Sequence, residues 1–297
     1  MSYRRGSYFL GPPARRRHRG RGRLLVALAL LLVAGAVVGV VLAATHRGPD
    51  ARGADVESFS VRSRLVHRTL EQKAVVPTGG AEGRPLLVLL HGRGSKPGDA
   101  FSDEFFAELD RLGSRAPVVV EVNGGDHSYY HDRDDGRWGS YVVREAIPAT
   151  VARYGVDKDR IALGGTSMGG FGALDIARRN PRRFCAVGGH SAALNRRASE
   201  TAPGAFDDAA DFRRHDVYHY VRRNTRAYAR ENLWLDVGRA DPFRSVNAEV
   251  ARTLKARDRA DVEWHLRPGG HGGEYFRANV ASYLRFYARE LERCGDR

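Results

Sequence analysis

The sequence is poor in cysteine and lysine, and the shortage of cysteine excludes a cysteine-based metal site. The chain has 297 residues but only two cysteines, Cys185 and Cys294, whose separation matches no metal-binding spacing. The two thiols can pair in an exported protein, or stay free and buried, because Cys185 lies in the apolar run "FCAVGGH". Only four of the 49 basic residues are lysines, a bias more typical of a high-GC genome than of a binding surface. The chain lacks both zinc-finger spacing and an RNA-binding signature. A nucleic-acid partner is therefore not expected.

Acidic residues are absent from the first 23 positions, which hold eight arginines. Subtracting these arginines from the formal net charge of +14 leaves +6 for the rest of the chain. The positive charge is thus concentrated at one end, instead of marking a basic face on a folded domain.

Charged residues of either sign are absent from residues 24–45, "LLVALALLLVAGAVVGVVLAAT". As a helix, 22 residues span about 33 Å, close to the hydrocarbon thickness of a bilayer. Because arginines come directly before it, the positive-inside rule places the N-terminus in the cytoplasm and the chain after Thr45 outside. A signal peptide cleaved after Ala43 or Ala44 is the alternative, although its apolar core is usually shorter.

Four segments follow from these patterns. The sequence predicts a basic cytoplasmic tail (1–23), a membrane-spanning signal-anchor (24–45), a polar linker (46–56) and one large domain (57–297). About 240 residues are enough for a single domain with a buried sheet.

In the large domain, short apolar runs alternate with helical patterns. The runs lack strict alternation, as expected of strands covered on both faces. Strands alternating with helices predict an α/β domain with a mostly parallel sheet, and "FSVRSRLVHRTL" (59–70) predicts one antiparallel strand before it. The six runs are Leu86–Leu90, Pro117–Val122, Ile161–Leu163, Phe184–Val187, Leu233–Val237 and Val262–Leu266.

Ser167 lies between a predicted strand and a predicted helix, in "GGTSMGGFG". A sharp turn at this point exposes a hydroxyl above the sheet, provided that the residues two before and two after are small. Gly165 and Gly169 meet that requirement. The pattern predicts a nucleophile, and the alternative is a glycine-rich turn without chemistry.

An acid and a histidine follow later strands. Asp241, in "DVGRADPF", can accept the Nδ1 proton of a histidine and orient its ring; Asp236 is the rival, but it lies inside the strand. His271, in "PGGHGGEYF", follows the last strand in a flexible loop from which it can act as a general base. Ser191, in "GGHSAA", resembles a second nucleophile turn but lacks the second glycine and a clear helix.

Two loops complete the predicted site. The backbone N–H groups of Met168 and Arg93 are predicted to form an oxyanion hole, with Gly92 as the alternative to Arg93. His91 is expected to be structural. Residues 123–141 are rich in aromatic and polar side chains and either contact substrate or form a hydrogen-bonded surface loop. The possible pocket residues are Tyr129, Tyr130, His131, Trp138 and His190.

Four of these motifs, "LLHGRG", "GGTSMGGFGALDIARRNP", "DVGRADPF" and "PGGHGGEYF", resemble the esterase D / antigen 85 branch of the α/β-hydrolase superfamily. The resemblance covers roughly residues 80–292 and implies the α/β-hydrolase fold, with Ser167, Asp241 and His271 as a triad. The acid in mycolyltransferase members is Glu, so Asp241 favours the plain esterases. No metal or organic cofactor is implied.

The sequence therefore predicts a membrane-anchored serine esterase that acts outside the cytoplasm on a small-molecule, lipid or sugar ester. Acyl transfer to a cell-envelope sugar or lipid is the second enzymatic alternative. An inactive hydrolase fold that serves as a binding module is the third, but no triad member is missing.

Overall fold

Eight strands form the central sheet of the computed structural model, which describes residues 48–224, 226, 228, 229, 231–257 and 261–295. Six of the strands are mutually parallel, and the second strand is antiparallel to both of its neighbours. The predicted mostly parallel sheet is therefore confirmed. The order across the sheet is β1 (Asp55–Arg62), β2 (Thr69–Val76), β4 (Val118–Val122), β3 (Leu86–Leu90), β7 (Ile161–Thr166), β8 (Ala186–His190), β9 (Asn232–Gly238) and β10 (Asp261–Arg267).

Helices connect the parallel strands. Besides them, β5 (Asp132–Arg133) and β6 (Gly136–Arg137) form a small hairpin, a π-helical turn spans Val142–Ala146, and 3₁₀ turns span Gly113–Arg115 and Ala198–Glu200. The helices are α1 (Asp103–Leu112), α2 (Trp138–Tyr141), α3 (Ile147–Tyr154), α4 (Met168–Arg179), α5 (Ala209–His215), α6 (Val217–Arg223), α7 (Arg244–Arg257) and α8 (Gly273–Gly295).

The predicted membrane helix, residues 24–45, lies outside the described residues, as does the basic tail. Within the part of the chain that the structure describes, no helix has the length and apolar character that crossing a membrane needs.

The predicted single strand over residues 59–70 is wrong in its extent. The chain reverses between β1 and β2, because Ser63 Oγ accepts hydrogen bonds from the N–H groups of Leu65 (3.1 Å) and Val66 (3.0 Å). The N–H of Ser63 donates to the carbonyl of Arg68 (2.8 Å), which closes the turn. The two arms pair antiparallel, so one predicted strand is a hairpin.

Both faces of the sheet are buried. Leu86, Val88 and Leu90 of β3 pack on the face that carries α4, whereas Leu87 packs on the opposite face with α1 and α8. Burial of each such side chain stabilises the fold by about 1.5–3 kcal/mol. Covering both faces explains why the strands read as continuous apolar runs.

Helix α8 lies unusually close to the sheet at two glycines. A Cβ atom added at Gly164 or at Gly188 would lie 1.8 Å from the hydroxyl oxygen of Tyr287. The missing side chains therefore make room for this tyrosine of α8. The end of the same helix is linked to the chain just before β8, because Cys185 and Cys294 form a disulfide.

Candidate active site

Ser167 occupies the sharp turn between β7 and α4. Its backbone has φ +54° and ψ −112°, a combination that is strained for a residue other than glycine. A Cβ atom at Gly169 would lie 1.9 Å from the carbonyl oxygen of Leu90, and one at Gly165 would lie 2.4 Å from the backbone of Gly169. Only glycine fits at these two positions, so the sequence pattern dictates the turn and leaves the serine hydroxyl partly exposed.

His271 and Asp241 meet this hydroxyl. Ser167 Oγ lies 2.7 Å from His271 Nε2, and His271 Nδ1 lies 2.8 Å from Asp241 Oδ2. If Nδ1–H donates to the carboxylate, Nε2 is left as the acceptor for the serine hydroxyl. The three residues follow β7, β9 and β10, and the structure brings them together at the carboxyl edge of the sheet.

Backbone hydrogen bonds hold the acid and histidine loops together. The N–H of Arg239 donates to the carbonyl of Arg267 (2.8 Å), and the N–H of Ala240 donates to that of Gly269 (2.9 Å). These bonds continue the pairing of β9 with β10 past the strand ends. They fix the separation of Asp241 from His271 without any contribution from their side chains.

Asp241 is charged in the folded protein. Burial acts to raise the pKa of its carboxyl, but hydrogen bonds from His271, Ser191 and the backbone N–H of Phe243 outweigh burial and hold this pKa below its ordinary value. The side chain of Asp241 is 0% exposed, while that of His271 is 25% exposed. The acid is thus shielded from water, whereas the base remains accessible.

Ser191 lies on the other side of the histidine ring. Its hydroxyl donates to Asp241 Oδ2 and lies 3.1 Å from His271 Nδ1, and the residue is fully buried. The structure therefore places Ser191 against the acid and not beside Nε2, where Ser167 lies.

Asp236, the rival acid, is fully buried in β9. Its carboxylate accepts hydrogen bonds from Trp234 (2.9 Å), Tyr275 (2.5 Å) and Tyr283 (2.8 Å), and lies 2.8 Å from His190 Nδ1. Asp236 therefore pairs with His190 and does not contact His271.

The loop after β3 lies beside the serine. A Cβ atom added at Gly92 would be 3.7 Å from that of Ser167, so the His91–Gly94 loop is close enough for Arg93 and Met168 to be candidates for the oxyanion hole. The ring of His91 joins two loops: Nδ1 lies 2.9 Å from the carbonyl oxygen of Gly92, and Nε2 accepts from the N–H of Gly124 (3.0 Å). Burial lowers the pKa of His91, which agrees with a neutral, structural ring.

A pocket of about 470 Å³ opens at Ser167 and His271 and runs beneath α8. One wall carries Glu121, whose Oε2 accepts hydrogen bonds from the N–H groups of Gly98 (2.6 Å) and Ala100 (3.4 Å). Burial raises the pKa of Glu121 to about 7. The apolar part of the wall comprises Leu87, Leu89, Phe276, Val280 and Leu284.

Of the five predicted pocket residues, His190 lines this pocket. The other four are at most 4% exposed. Tyr129, Tyr130 and Trp138 belong to the core, and His131 is buried with its Nε2 3.0 Å from Asp211. Tyr130 fills the space left by Gly172, where a Cβ atom would lie 2.6 Å from it, and its hydroxyl accepts from the N–H of His91 (2.9 Å). The four predicted pocket residues that the structure buries outside the pocket are Tyr129, Tyr130, His131 and Trp138.

Sequence reasoning missed Glu121 and the α8 side of the pocket. The available signals were one carboxylate in the apolar strand "VVVEV" and the glycines Gly164 and Gly188, which indicate close approach of another element. No group of three or more His, Cys, Asp or Glu residues suited to a metal ion occurs among the described residues.

Known proteins resemble this chain in sequence. Residues 74–287 match the family model described as "Putative esterase". An S-formylglutathione hydrolase of Paracoccus denitrificans is 25% identical over 181 residues, which are 57% of this chain and 64% of the relative. The MPT51 antigen of Mycobacterium leprae is 30% identical over 173 residues, 52% of each chain. The chain thus matches less than two thirds of the length of both relatives.

Among solved structures, a ferulic acid esterase superposes with a TM-score of 0.68 at 22% identity, covering 80% of this chain and 99% of that one. Together with the mostly parallel sheet flanked by helices, this likeness shows the α/β-hydrolase fold that the motifs predicted.

Proposed function

The chain belongs to the esterase family that its sequence matches over residues 74–287, and from this premise we propose that it is a serine hydrolase of carboxylic esters. One observation carries the proposal: the hydroxyl of Ser167 lies 2.7 Å from His271 Nε2, and the other nitrogen of the same ring lies 2.8 Å from the buried Asp241.

In the proposed reaction, His271 Nε2 takes the hydroxyl proton while Ser167 Oγ attacks the ester carbonyl carbon. Asp241 stabilises the charged imidazole. The carbonyl electrons move onto oxygen, next to the N–H groups proposed for Met168 and Arg93. When the carbonyl re-forms, the alcohol leaves with the proton from His271, and an acyl-serine remains. Water, deprotonated by His271, then releases the acid and restores the serine.

The pocket supports an ester substrate of moderate size. Its volume of about 470 Å³ lies in the range of small-molecule sites. Its apolar side chains can contact an uncharged acyl or alcohol group, while Arg93, Asp99 and Arg277 add charged groups to the wall. Acyl transfer remains the alternative, and the products separate the two: hydrolysis yields free acid, whereas transfer yields a new ester when a sugar or glycerol acceptor is added.

A fluorophosphonate probe tests the assignment of the nucleophile. We expect mass spectrometry of the full-length protein to find the label on Ser167. Ser167→Ala should abolish labelling and lower kcat for p-nitrophenyl butyrate by about 10⁴-fold or more. Ser191→Ala is the matched control and should keep the label. A label on Ser191, or activity that survives Ser167→Ala, would overturn the proposal.

We further propose that residues 24–45 anchor the protein in the membrane with the enzyme domain outside the cytoplasm. The uncharged run after eight arginines supports this topology, and so does the disulfide between Cys185 and Cys294, because such bonds persist in oxidising compartments. A C-terminal alkaline phosphatase fusion should be active in whole cells; an inactive fusion would contradict the orientation.

A further inference from the structure

A second groove lies away from the pocket of Ser167, between the end of α4, the 3₁₀ turn at Ala198–Glu200, α5 and α6. Its volume is about 460 Å³. Six arginines line it, against a single acid, Asp216. We call this feature the arginine groove; its arginines are Arg178, Arg196, Arg197, Arg213, Arg214 and Arg223. We propose that the arginine groove binds a phosphate-bearing ligand.

Three of the arginines are paired with acids. Arg178 pairs with Asp175, Arg196 lies 2.8 Å from Glu249, and Arg214 lies 3.0 Å from Asp211. Such pairs hold guanidinium groups in place while largely balancing their charge.

The other three arginines of the groove face solvent. Arg197, Arg213 and Arg223 are exposed, and none of them forms an ion pair with a residue that the structure describes. Asp216, the one acid that lines the groove, accepts from the N–H of His219 at the start of α6. Glu200 accepts from the N–H groups of Arg196 (2.9 Å) and Arg197 (3.3 Å). The groove therefore keeps an excess of positive charge.

Arg178 provides an independent observation. Its side chain is only 6% exposed, its guanidinium lies 4.5 Å from the ring centre of Tyr220, and Nη2 donates to the carbonyl of Arg214 (3.0 Å). Its Nε–H is shut off from water and has no hydrogen-bond acceptor among the described residues. A buried donor without an acceptor costs about 1–3 kcal/mol, and a bound anion that rearranges this side chain would supply one.

Phosphate fits these groups better than a carboxylate does. A planar guanidinium presents paired N–H groups that match two phosphate oxygens, and a phosphate ester carries up to about two negative charges and three acceptor oxygens. The three exposed arginines outnumber the two acids, Asp216 and Glu200, so the groove has a net positive charge that suits an anion. The phosphate can belong to a free phosphate monoester or to a lipid headgroup, which is a phosphodiester.

Calorimetric titration of the full chain in non-ionic detergent at low salt tests binding. The probes are inorganic phosphate, glycerol 3-phosphate, glycerophosphoglycerol and, as control, acetate. We expect at least one phosphate probe to bind about 10-fold or more tightly than acetate, with affinity falling as salt rises. Tighter binding of the monoester identifies a free phosphate ester, and tighter binding of the diester identifies a lipid headgroup. Equal affinity for acetate, or no binding of any phosphate probe, would overturn the site.

Variants locate the binding in the groove. Arg197→Ser, Arg213→Ser and Arg223→Ser combined should weaken binding about 10-fold or more. The matched control removes the same charge from three exposed arginines elsewhere, as Arg62→Ser, Arg64→Ser and Arg183→Ser, and should change affinity by less than about 2-fold. Equal losses in both triple variants would show a general charge effect and refute the site.

Arg178→Lys adds a sharper variant because it keeps the charge but removes Nε–H and the planar fork. We expect several-fold weaker phosphate binding with unchanged hydrolysis of p-nitrophenyl butyrate, whereas unchanged phosphate binding would contradict the role given to Nε. Ester hydrolysis is measured in every variant, independently of phosphate binding. A wild-type protein that binds phosphate but hydrolyses no ester would refute the proposed function alone.

Discussion

Two serines follow neighbouring parallel strands and lie on opposite sides of the same histidine. Ser167 follows β7 with φ +54°, and Ser191 follows β8 with φ +48°. Ser167 Oγ lies 2.7 Å from His271 Nε2, whereas Ser191 Oγ lies 3.1 Å from Nδ1 and donates to Asp241. The two turns are therefore strained to nearly the same degree, but their serines have different roles. The role of each serine depends on which ring nitrogen of His271 its hydroxyl contacts.

The elements that follow the two serines explain the difference. Ser167 begins α4, whose N-terminal dipole favours negative charge developing near the serine. No helix begins directly after Ser191, and its N–H is tied to the carbonyl of Asp236 (2.9 Å). Ser191 is also fully buried, so an ester has no route to it. A glycine-rich serine turn therefore predicts a nucleophile only together with a following helix and access from a pocket.

The largest expected effect comes from changing Asp241, which accepts a hydrogen bond from Ser191 and orients the histidine that contacts Ser167. Asp241→Asn removes the charge that holds the His271 tautomer, so Nε2 no longer accepts the proton of Ser167. We expect kcat for p-nitrophenyl butyrate to fall by about 10⁴-fold with little change in KM. A residual rate within about 10-fold of wild type would show that Ser191 or another group orients the histidine without the acid.

The next prediction compares one glycine substitution in the Ser167 turn with one in the Ser191 turn. At Gly169 a Cβ atom would meet the backbone of Leu90 at 1.9 Å, whereas at Gly189 it would meet side chains of Leu174 and Leu235 at 3.0 and 3.1 Å. Gly169→Ala must displace Ser167, and we expect kcat to fall by about 10²-fold or more. Gly189→Ala is the control, since side chains can move, and should cost about 1–3 kcal/mol of stability with kcat nearly unchanged. Similar kinetics for the two variants would remove the distinction between the turns.

Most of the sheet was predictable, because burial on both faces makes its strands read as unbroken apolar runs. All six predicted runs contribute residues to strands. The hairpin of β1 and β2 was not predicted, since its turn depends on Ser63 accepting two backbone hydrogen bonds. Nothing in the local pattern of hydrophobic residues marks that reversal.

The candidate site also has one part that the sequence predicts and one part that it does not. The motifs at Ser167, Asp241 and His271 are local, and the parallel sheet brings their strand ends to one edge. The pocket walls come from contacts distant in sequence, such as Tyr287 in the space above Gly164 and Gly188. Aromatic composition alone suggested Tyr130 and Trp138 as pocket residues, but large rings also fill cores, and here they do.

A smaller effect measures what Ser191 contributes. Ser191→Ala removes one donor to Asp241 but leaves Ser167, His271 and their contact in place. We expect kcat to fall by about 10-fold or less, with the fluorophosphonate label still on Ser167. A loss as large as that of Ser167→Ala would mean that Ser191 takes part in the bond-forming step.

The smallest effect is the dependence of stability on pH. The pKa of Asp241 is lowered from 3.8 in the folded protein, so its ionised form stabilises the fold above that pH, and this stability is lost as pH falls through the lower folded-state value. Ser191→Ala removes one of the hydrogen bonds that lower the pKa. The variant should therefore be about 1 kcal/mol less stable at pH 6, and the difference should shrink below pH 3.8. Urea unfolding from pH 6 to pH 3 measures it, with Asp241→Asn as the background in which Ser191→Ala should have little effect. A constant difference at every pH would show that Ser191 acts by packing and not through the charge of Asp241.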